Sequence, residues 1–327
     1  MLYAKITGIA SYIPDDVLDN EMLSQMVDTN DEWITTRVGI KERRILRDPE
    51  KGSSYMGIKA LKKLLADTST SPDEIDLLIC ATSNPDYRFP STASIIAYGA
   101  GLKRAYAYDI QAACAGFLVA MQDANAYIRS GLYKKIVVIA AEKMSSMTDY
   151  QDRSTCPLFG DAAACVLVEP TQEHEGVIDA EFHIEGSGLP HLVMKGGGSA
   201  RPTSQETLDA REHYVYQEGR VVYRNAVVDM LTSTRSVMKR NNLDGASIDY
   251  LVPHQANLRI IEAISKRIDV PDEKVLVNIQ YRGNTSAASI PLCLDENKER
   301  LKKGDKIVMT AFGAGFTWGA MYIIWSI

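Results

Sequence analysis

The chain has 327 residues, roughly two domain-sized lengths. With 46% hydrophobic and 24% charged residues it has the composition of a globular protein, which excludes a disordered chain, a collagen-like repeat and a small disulfide scaffold. Its net charge of −6 argues against a general nucleic-acid binder but leaves room for a local basic patch.

The N-terminus predicts no secretion signal, and the cysteines predict a reduced protein. Residues 1–16 lack a basic region followed by an apolar one, so we expect no signal peptide. The five cysteines form no CxxC pair and no Cys/His cluster, so we expect no zinc site and free thiols in a cytoplasm. Cys80 and Cys165 sit in apolar runs typical of buried cysteines, Cys293 falls inside a predicted helix, and Cys156 is ambiguous.

An internal duplication organises the chain. Three pairs of apolar segments match in order and at similar intervals. The pairs are 75–84 with 247–257, 106–110 with 275–279, and 134–142 with 304–312. Apolar runs that alternate with helical patterns are typical of parallel strands buried on both faces. We therefore predict an α/β fold of two packed sheets, built from an N-terminal half, 1–172, and a C-terminal half, 173–327.

Cys114 is the first residue whose position predicts chemistry. It follows the predicted strand 106–110 and begins the helical pattern 114–131, which places its thiol at a strand-to-helix turn. A helix N-terminus stabilises a thiolate, and the small neighbours Ala113 and Ala115 leave room for a substrate. The position fits either a nucleophile or a buried structural cysteine.

The segment 170–223 interrupts the duplicated pattern. It is rich in Gly, Ser and charged residues, and it holds four of the five histidines. We interpret it as a connection between the halves, with an insertion near 190–217 and partial mobility near Gly196–Ser199.

His254 and Asn284 follow in the second half. His254 comes directly after a predicted strand, at the carboxyl end where ligand and catalytic groups gather in α/β sheets. Asn284 lies in a Gly-Asn-Thr-Ser turn that the duplication places opposite the turn of Cys114. There its amide can donate a hydrogen bond to a developing negative charge. The alternatives are a polar residue satisfied at a strand end for His254 and a turn or N-cap residue for Asn284.

The last 21 residues, 307–327, contain no charged side chain and are long enough to span a bilayer. Their glycines and threonines favour two buried strands joined by the glycine turn 312–316. Backbone N–H groups of that turn can form an oxyanion hole together with that of Cys114.

Five motifs in chain order carry a family resemblance. DEWITTRVGIKER, DIQAACAGF, VPHQANLRI, GNTSAASIP and FGAGFTWG closely resemble β-ketoacyl-acyl carrier protein synthase III. The similarity runs from about Ile6 to Trp318. It implies the five-layered αβαβα thiolase-like fold and the first condensation of fatty-acid synthesis, in which an acyl-CoA starter reacts with malonyl-acyl carrier protein.

The resemblance also implies residue roles in the reaction. Cys114 matches the nucleophile that takes the acyl group. His254 and Asn284 match the pair that promotes decarboxylation of the malonyl group. The backbone N–H groups of Cys114 and Ala314 match the oxyanion hole.

Further motif positions imply binding roles. Trp33, Arg37 and Arg153 resemble the residues that hold the CoA adenine end. Phe89 resembles an aromatic that reaches across a homodimer interface to line the partner's acyl pocket. The family uses acyl-CoA as a substrate and needs no cofactor or metal, and we expect no membrane or nucleic-acid partner.

A carrier protein is acidic, so docking needs a local basic patch. Residues 258–268 predict an amphipathic helix on which Arg259 and Lys266 share a face, with Arg267 adjacent. Arg224 lies on the preceding helical stretch. The family uses basic residues here, which favours docking over a merely solvated helix face.

Rival interpretations remain open beside this resemblance. A starter condensing enzyme of polyketide or secondary metabolism would carry the same Cys-His-Asn set, and the motifs do not choose the acyl starter. Ala162 and Ala164 stand where the family often has glycine. A hydroxymethylglutaryl-CoA synthase needs an acidic base near its cysteine, and AACAGF offers none. The duplicated scaffold disfavours a thiol protease. The presence of Cys114, His254 and Asn284 together disfavours an acyl-binding relative without activity.

Overall fold

The structure, a computed structural model, describes residues 2–327. The strands are β1 (Tyr3–Tyr12), β2 (Val17–Asp19), β3 (Glu42–Arg44), β4 (Leu77–Ala81), β5 (Tyr106–Ile110), β6 (Ile136–Lys143), β7 (Asp161–Thr171), β8 (Gly176–Ile184), β9 (Leu192–Met194), β10 (Val215–Gln217), β11 (Tyr250–Pro253), β12 (Lys306–Gly313) and β13 (Thr317–Ile324). The α-helices are α1 (Asn20–Ser24), α2 (Asp31–Val38), α3 (Ser53–Asp67), α4 (Thr92–Ala100), α5 (Gly116–Ser130), α6 (Gln205–Asp209), α7 (Gly219–Arg240), α8 (Leu258–Arg267), α9 (Ile279–Arg282) and α10 (Ser289–Glu296).

Two main sheets form the frame. The first has the strand order β1-β7-β6-β4-β5 and the second the order β11-β12-β13-β8. Strands β4, β5 and β6 run parallel, as do β11 and β12, whereas β7 runs antiparallel to both of its neighbours and β13 to both of its own. The parallel strands therefore make up one side of the first sheet, from the middle strand β6 to the edge strand β5, and one edge of the second sheet.

The sheets and helices stack in five layers, as the thiolase-like fold requires. Alternate residues of β4 face opposite sides, Ile79 toward α5 and α10 between the sheets and Leu78 toward α3 and α4 outside. The second sheet repeats this arrangement, with Met309 of β12 facing the central helices and Val308 facing α7 and α8. Both faces of each sheet are thus buried, which explains the continuous apolar runs in the sequence.

The duplicated segments differ in one place. Residues 106–110 form β5, but the matching strand predicted at 275–279 is wrong, because only Val275 forms a bridge, with Leu251. Ile279 already begins the short helix α9. The chain turns away there to carry Asn284 toward the centre of the molecule.

The C-terminal apolar stretch forms β12 and β13, as predicted, joined by the glycine turn. In the described part of the chain, no helix is long and apolar enough to cross a membrane. The first sheet ends at Thr171 of β7 and the second sheet gains its edge strand from Gly176 of β8. The division of the chain into halves at 172/173 stays our proposal.

The connecting segment contains structure of its own. After β8, strands β9 and β10 pair antiparallel to form a small hairpin whose loop includes α6. Within that loop, the Gly196 N–H donates to the Glu212 carbonyl at 2.7 Å and the Gly197 N–H to the Arg201 carbonyl at 2.9 Å. The mobility expected near Gly196–Ser199 stays a prediction.

Candidate active site

One cavity of about 840 Å³ collects the residues that the sequence singled out for chemistry. Cys114, His254, Asn284 and Ala314 all line it. The two turns expected to face each other do so: a 3-10 turn at Ala113–Ala115 precedes α5, and its counterpart at Ser286–Ala288 precedes α10. Cys114 Sγ lies 3.6 Å from Ser286 Oγ across this junction.

Cys114 is held by a bent backbone. The preceding residue, Ala113, has φ of 46°, a left-handed conformation that is unfavourable for a residue with a Cβ and that tends to occur at functional sites. Burial raises the pKa of the Cys114 thiol to about 12, against a smaller lowering by the Ser286 hydroxyl. At neutral pH this raised pKa keeps the group a thiol, and its direction is opposite to the effect of a helix N-terminus.

His254 presents a neutral imidazole. It follows β11, and its Nδ1 lies 2.7 Å from Ser289 Oγ. The Gln255 N–H points at the same Ser289 oxygen, at 3.4 Å, so the hydroxyl proton is free to go to Nδ1. That assignment leaves the ring proton on Nε2. Burial lowers the pKa of His254 to about 3, which makes it a neutral hydrogen-bond donor at physiological pH.

Asn284 is fixed through its carbonyl oxygen. Its Oδ1 accepts from the Ser286 N–H at 2.8 Å, so its side-chain NH₂ is the end that remains for the cavity. The backbone is anchored as well, because the Asn284 N–H donates to the Leu158 carbonyl at 2.8 Å and its own carbonyl accepts from Gly160. His254 and Asn284 thus supply two uncharged donors to one space, which suits an oxygen that becomes negative.

The glycine turn packs directly against Cys114. A Cβ added to Gly313 would lie 2.6 Å from the Cys114 backbone nitrogen and 2.9 Å from Ala113 Cβ. Contacts this close leave no room for any side chain at position 313. Ala314, the next residue in the turn, lines the same cavity as Cys114. The pairing of their N–H groups in an oxyanion hole stays a prediction.

Gly313→Ala is expected to slow acyl transfer to Cys114 by about a hundredfold, the typical effect of losing one oxyanion donor. The added methyl must push the turn away from the Cys114 N–H. The measurement is rapid-quench formation of acyl-Cys114, with melting temperature as the check on folding. Gly186→Ala is the control, since a Cβ there meets nothing within 4 Å. Equal rates for both variants would contradict the proposed role of this turn.

Glu142 is the site residue that the sequence did not identify. It is fully buried near the end of β6, where it accepts from the Ser83 N–H at 3.0 Å and from the Thr82 hydroxyl at 3.2 Å. It also accepts from the Ser286 hydroxyl and the Ala287 backbone. Burial raises the pKa of Glu142 to about 7, although these hydrogen bonds act to lower it. A signal existed, since a glutamate at the end of an apolar strand is a buried charge that needs a reason.

Glu142 corrects one expectation about the surroundings of Cys114. The sequence next to the cysteine contains no acidic residue, but the fold brings Glu142 to it through Ser286. Glu142 is not among the residues that line the cavity. Its carboxylate thus lies behind the site and does not face a substrate.

The proposed CoA residues lie partly together. Trp33 and Arg37 are on α2, and the Arg153 guanidinium lies 5.2 Å from the centre of the Trp33 ring. Arg153 also pairs with Asp28 at 3.1 Å. Arg37 is exposed, and its carbonyl accepts from the Asn257 side chain, which lines the cavity. These residues lie outside the cavity wall, beside its rim.

The remaining predicted residues are at the surface. Phe89, in the loop before α4, is 87% exposed, and its predicted contact with a second subunit stays a prediction. Arg224 on α7 and Lys266 and Arg267 on α8 are exposed. Arg259 is exposed as well and also lines the cavity, with its guanidinium 5.6 Å from the centre of the Tyr223 ring.

The hairpin in the predicted insertion forms part of the cavity wall. Leu192, Val193 and Met194 of β9 line the cavity together with Val215 and Gln217 of β10. The segment 190–217 therefore contributes a mainly apolar surface close to the reacting groups. Within residues 2–327, no three His, Cys, Asp or Glu side chains converge in a way that could hold a metal ion.

Comparisons with known proteins agree with this architecture. A family model described as 3-oxoacyl-[acyl-carrier-protein (ACP)] synthase III matches residues 108–186. A second model, described as the C terminal of the same synthase, matches residues 238–325. A beta-ketoacyl-[acyl-carrier-protein] synthase III of Porphyromonas gingivalis is 57% identical over 99% of this chain and 96% of its own.

Two solved structures share the whole fold. A 3-oxoacyl-[acyl-carrier-protein] synthase III from Aquifex aeolicus is 42% identical with a TM-score of 0.90, covering 98% of this chain and 100% of its own. The priming beta-ketosynthase of the R1128 polyketide biosynthetic pathway is 31% identical with a TM-score of 0.91, covering 99% of this chain and 96% of its own.

Proposed function

Since the chain belongs to the β-ketoacyl-[acyl-carrier-protein] synthase III family, we propose that Cys114, His254 and Asn284 carry out that family's reaction here. This acyltransferase reaction initiates fatty-acid synthesis by condensing an acyl-CoA with malonyl-acyl carrier protein. The observation that carries the residue assignment is the convergence of the three side chains on one cavity.

The first half-reaction transfers the acyl group to Cys114. The sulfur attacks the thioester carbonyl, and the carbonyl oxygen becomes an oxyanion between the N–H groups of Cys114 and Ala314. The tetrahedral intermediate collapses, CoA leaves, and an acyl-Cys114 thioester remains. The small residues beside Cys114 give the acyl-CoA its approach.

The second half-reaction generates the carbon nucleophile. Malonyl-acyl carrier protein loses carbon dioxide, and the electrons of the broken bond pass to the thioester as an enolate. The Nε2–H of neutral His254 and the NH₂ of Asn284 donate to the enolate oxygen. The enolate carbon attacks acyl-Cys114, expels the cysteine sulfur and gives β-ketoacyl-acyl carrier protein.

Binding of CoA involves the rim beside α2 in this proposal. The Trp33 ring and the Arg153 guanidinium both present flat faces on which an adenine ring can stack. They lie 5.2 Å apart, so the Arg153 side chain moves outward to hold a purine between them. Arg37, one helical turn from Trp33 on α2, supplies a further cation beside the adenine end of CoA. Acyl-CoA is then a substrate, and the chemistry above needs no cofactor.

Acyl carrier protein docks in this proposal on the basic face of α7 and α8, made of Arg224, Arg259, Lys266 and Arg267. Arg259 stands at the cavity wall, so a carrier bound there can deliver its prosthetic arm. Arg259→Glu is expected to raise the Michaelis constant for malonyl-acyl carrier protein about tenfold and to weaken its salt dependence, as loss of a steering charge does.

The control for Arg259→Glu is Lys239→Glu, which makes the same charge change on an exposed residue at the far end of α7. We expect the Michaelis constant for acyl-CoA to change little in both variants. A loss that is equal for the carrier and for acyl-CoA would assign Arg259 to CoA instead of docking.

The quaternary structure and compartment are also part of the proposal. An aromatic side chain as exposed as Phe89 suits burial in a homodimer, where it would line the partner's acyl pocket. The five cysteines are all free, which suits a reducing cytoplasm.

The experiment that tests the function is intact-protein mass spectrometry with a panel of acyl-CoA thioesters, followed by malonyl-acyl carrier protein. We expect an adduct on Cys114 from one chain class that disappears when the malonyl carrier is added. A persistent adduct would favour the polyketide-type starter, a candidate supported by the likeness to the R1128 synthase. No adduct with any thioester would contradict the assignment of Cys114.

A further inference from the structure

Cys114 lacks an evident base in the cavity. Its thiol is held protonated by burial, so the proton must leave as the sulfur attacks the thioester. His254 is poorly suited to take it, because burial lowers the pKa of the imidazole to about 3. Its Nδ1 is also occupied by Ser289 at 2.7 Å, and its other nitrogen is needed as a donor in the condensation.

The contacts behind Cys114 offer another route. The Cys114 thiol donates to Ser286 Oγ at 3.6 Å, and the Ser286 hydroxyl donates in turn to the Glu142 carboxylate. Glu142 is oriented by the Ser83 N–H at 3.0 Å and by the Thr82 hydroxyl at 3.2 Å. These bonds form a continuous path from the sulfur to a buried carboxylate on the opposite side from the substrate.

The backbone at Ser286 supports a specific role for this residue. Its φ is 51°, an unfavourable conformation for a residue with a Cβ. The same bend directs its N–H to Asn284 Oδ1 at 2.8 Å. Ser286 therefore orients the amide through its backbone while its side chain faces Cys114.

From this geometry we infer that Ser286 and Glu142 form a proton relay for Cys114, with Glu142 as the general base of acyl transfer. The inference rests on the proposed function and deepens it. As the S–C bond to the acyl group forms, the Cys114 Sγ–H bond breaks, Ser286 Oγ accepts that proton, and the Ser286 hydroxyl proton passes to Glu142.

The proton balance closes over the two half-reactions. CoA leaves as a thiolate and takes one proton from solvent, which is the proton that the overall decarboxylative condensation consumes. When the enolate expels the sulfur of Cys114, Glu142 returns its proton through Ser286 and restores the thiol. The pKa of Glu142, raised by burial to about 7, allows both directions near neutral pH.

The test uses iodoacetamide alkylation of Cys114 as a function of pH, which needs no substrate, beside single-turnover acylation. For the natural chain, we expect both rates to rise with pH through an inflection near the pKa of Glu142. In Glu142→Gln, both rates should fall about a hundredfold, the scale of general-base catalysis, and lose that inflection. Decarboxylation of malonyl-acyl carrier protein should change little.

Ser286→Ala and Thr82→Val form a matched pair, since each removes one hydroxyl that donates to Glu142. Only Ser286 lies on the path to the sulfur, so the alkylation and acylation rates of Ser286→Ala should fall as far as those of Glu142→Gln. Thr82→Val should keep its plateau rate with the inflection moved to higher pH, because the charged carboxylate loses a donor. This pair keeps the test decisive if Glu142→Gln fails to fold.

The relay would be overturned if Ser286→Ala and Thr82→Val lost equal amounts of alkylation and acylation rate. An unchanged pH profile in Glu142→Gln would overturn it as well. A loss of decarboxylation as large as the loss of acylation would do so too, since it would show a structural role. The proposed function is judged separately, because the slow variants should still reach a complete acyl adduct on Cys114 after long incubation. Absence of that adduct in the natural chain would count against the function itself.

Discussion

Asn284→Asp is expected to form acyl-Cys114 at close to the natural rate and to lose decarboxylation by at least about a thousandfold. The structure gives the reason: Oδ1 of Asn284 is held by the Ser286 N–H, and the NH₂ is the end left for the cavity. Aspartate would put an acceptor oxygen there, next to an enolate oxygen that is gaining negative charge. In the proposed mechanism, acyl transfer uses the backbone N–H groups of Cys114 and Ala314 instead. Single-turnover assays of the two half-reactions measure the difference.

Two comparisons sharpen the Asn284 prediction. Asn284→Ala removes the donor without adding repulsion, so its decarboxylation rate should fall less, by about a hundredfold. Asn297→Asp adds the same charge at the far end of α10, where an Arg300 guanidinium is 3.1 Å away, and should leave both half-reactions near normal. Normal condensation by Asn284→Asp would refute the donor role.

Cys114→Ala is expected to form no acyl adduct and to lose condensation by at least about four orders of magnitude, as removal of a nucleophile does. Decarboxylation of malonyl-acyl carrier protein should continue, since His254 and Asn284 keep their own anchors at Ser289 and Ser286. Released carbon dioxide and intact-protein mass are the two readouts.

The control for Cys114→Ala is Cys165→Ala, which removes a fully buried thiol from β7 and should keep the adduct. An adduct that persists in Cys114→Ala would place the nucleophile elsewhere. With Asn284→Asp, this variant separates the two half-reactions in opposite directions, which general unfolding would not do.

Local signals in the sequence predicted much of the site. Small residues between a strand and a helix predicted the Cys114 turn, and spaced glycines predicted that residues 307–327 form two strands. The segment 275–279 is apolar, but most of it makes no ladder hydrogen bonds, because the chain must bend toward Asn284. Periodicity alone does not report that constraint.

The electrostatics of the site were less predictable. The resting state of Cys114 depends on how deeply the thiol is buried, which the helix N-terminus alone does not indicate. The path from Cys114, in a turn, to Glu142, in β6, passes through Ser286 in the other half of the chain. Such contacts arise from tertiary packing, and only the burial of a charged residue in an apolar strand points to them beforehand.

The meeting of the two left-handed turns, at Ala113 and Ser286, has a consequence for how the protein matures. The proposed nucleophile comes from the N-terminal segment, whereas both proposed enolate-stabilising donors come from the C-terminal one. Each segment by itself has an incomplete reaction centre, even if its own sheet forms. A ribosome must therefore finish almost the entire chain before any thioester chemistry begins, and return of activity after denaturation reports the docking of the two segments.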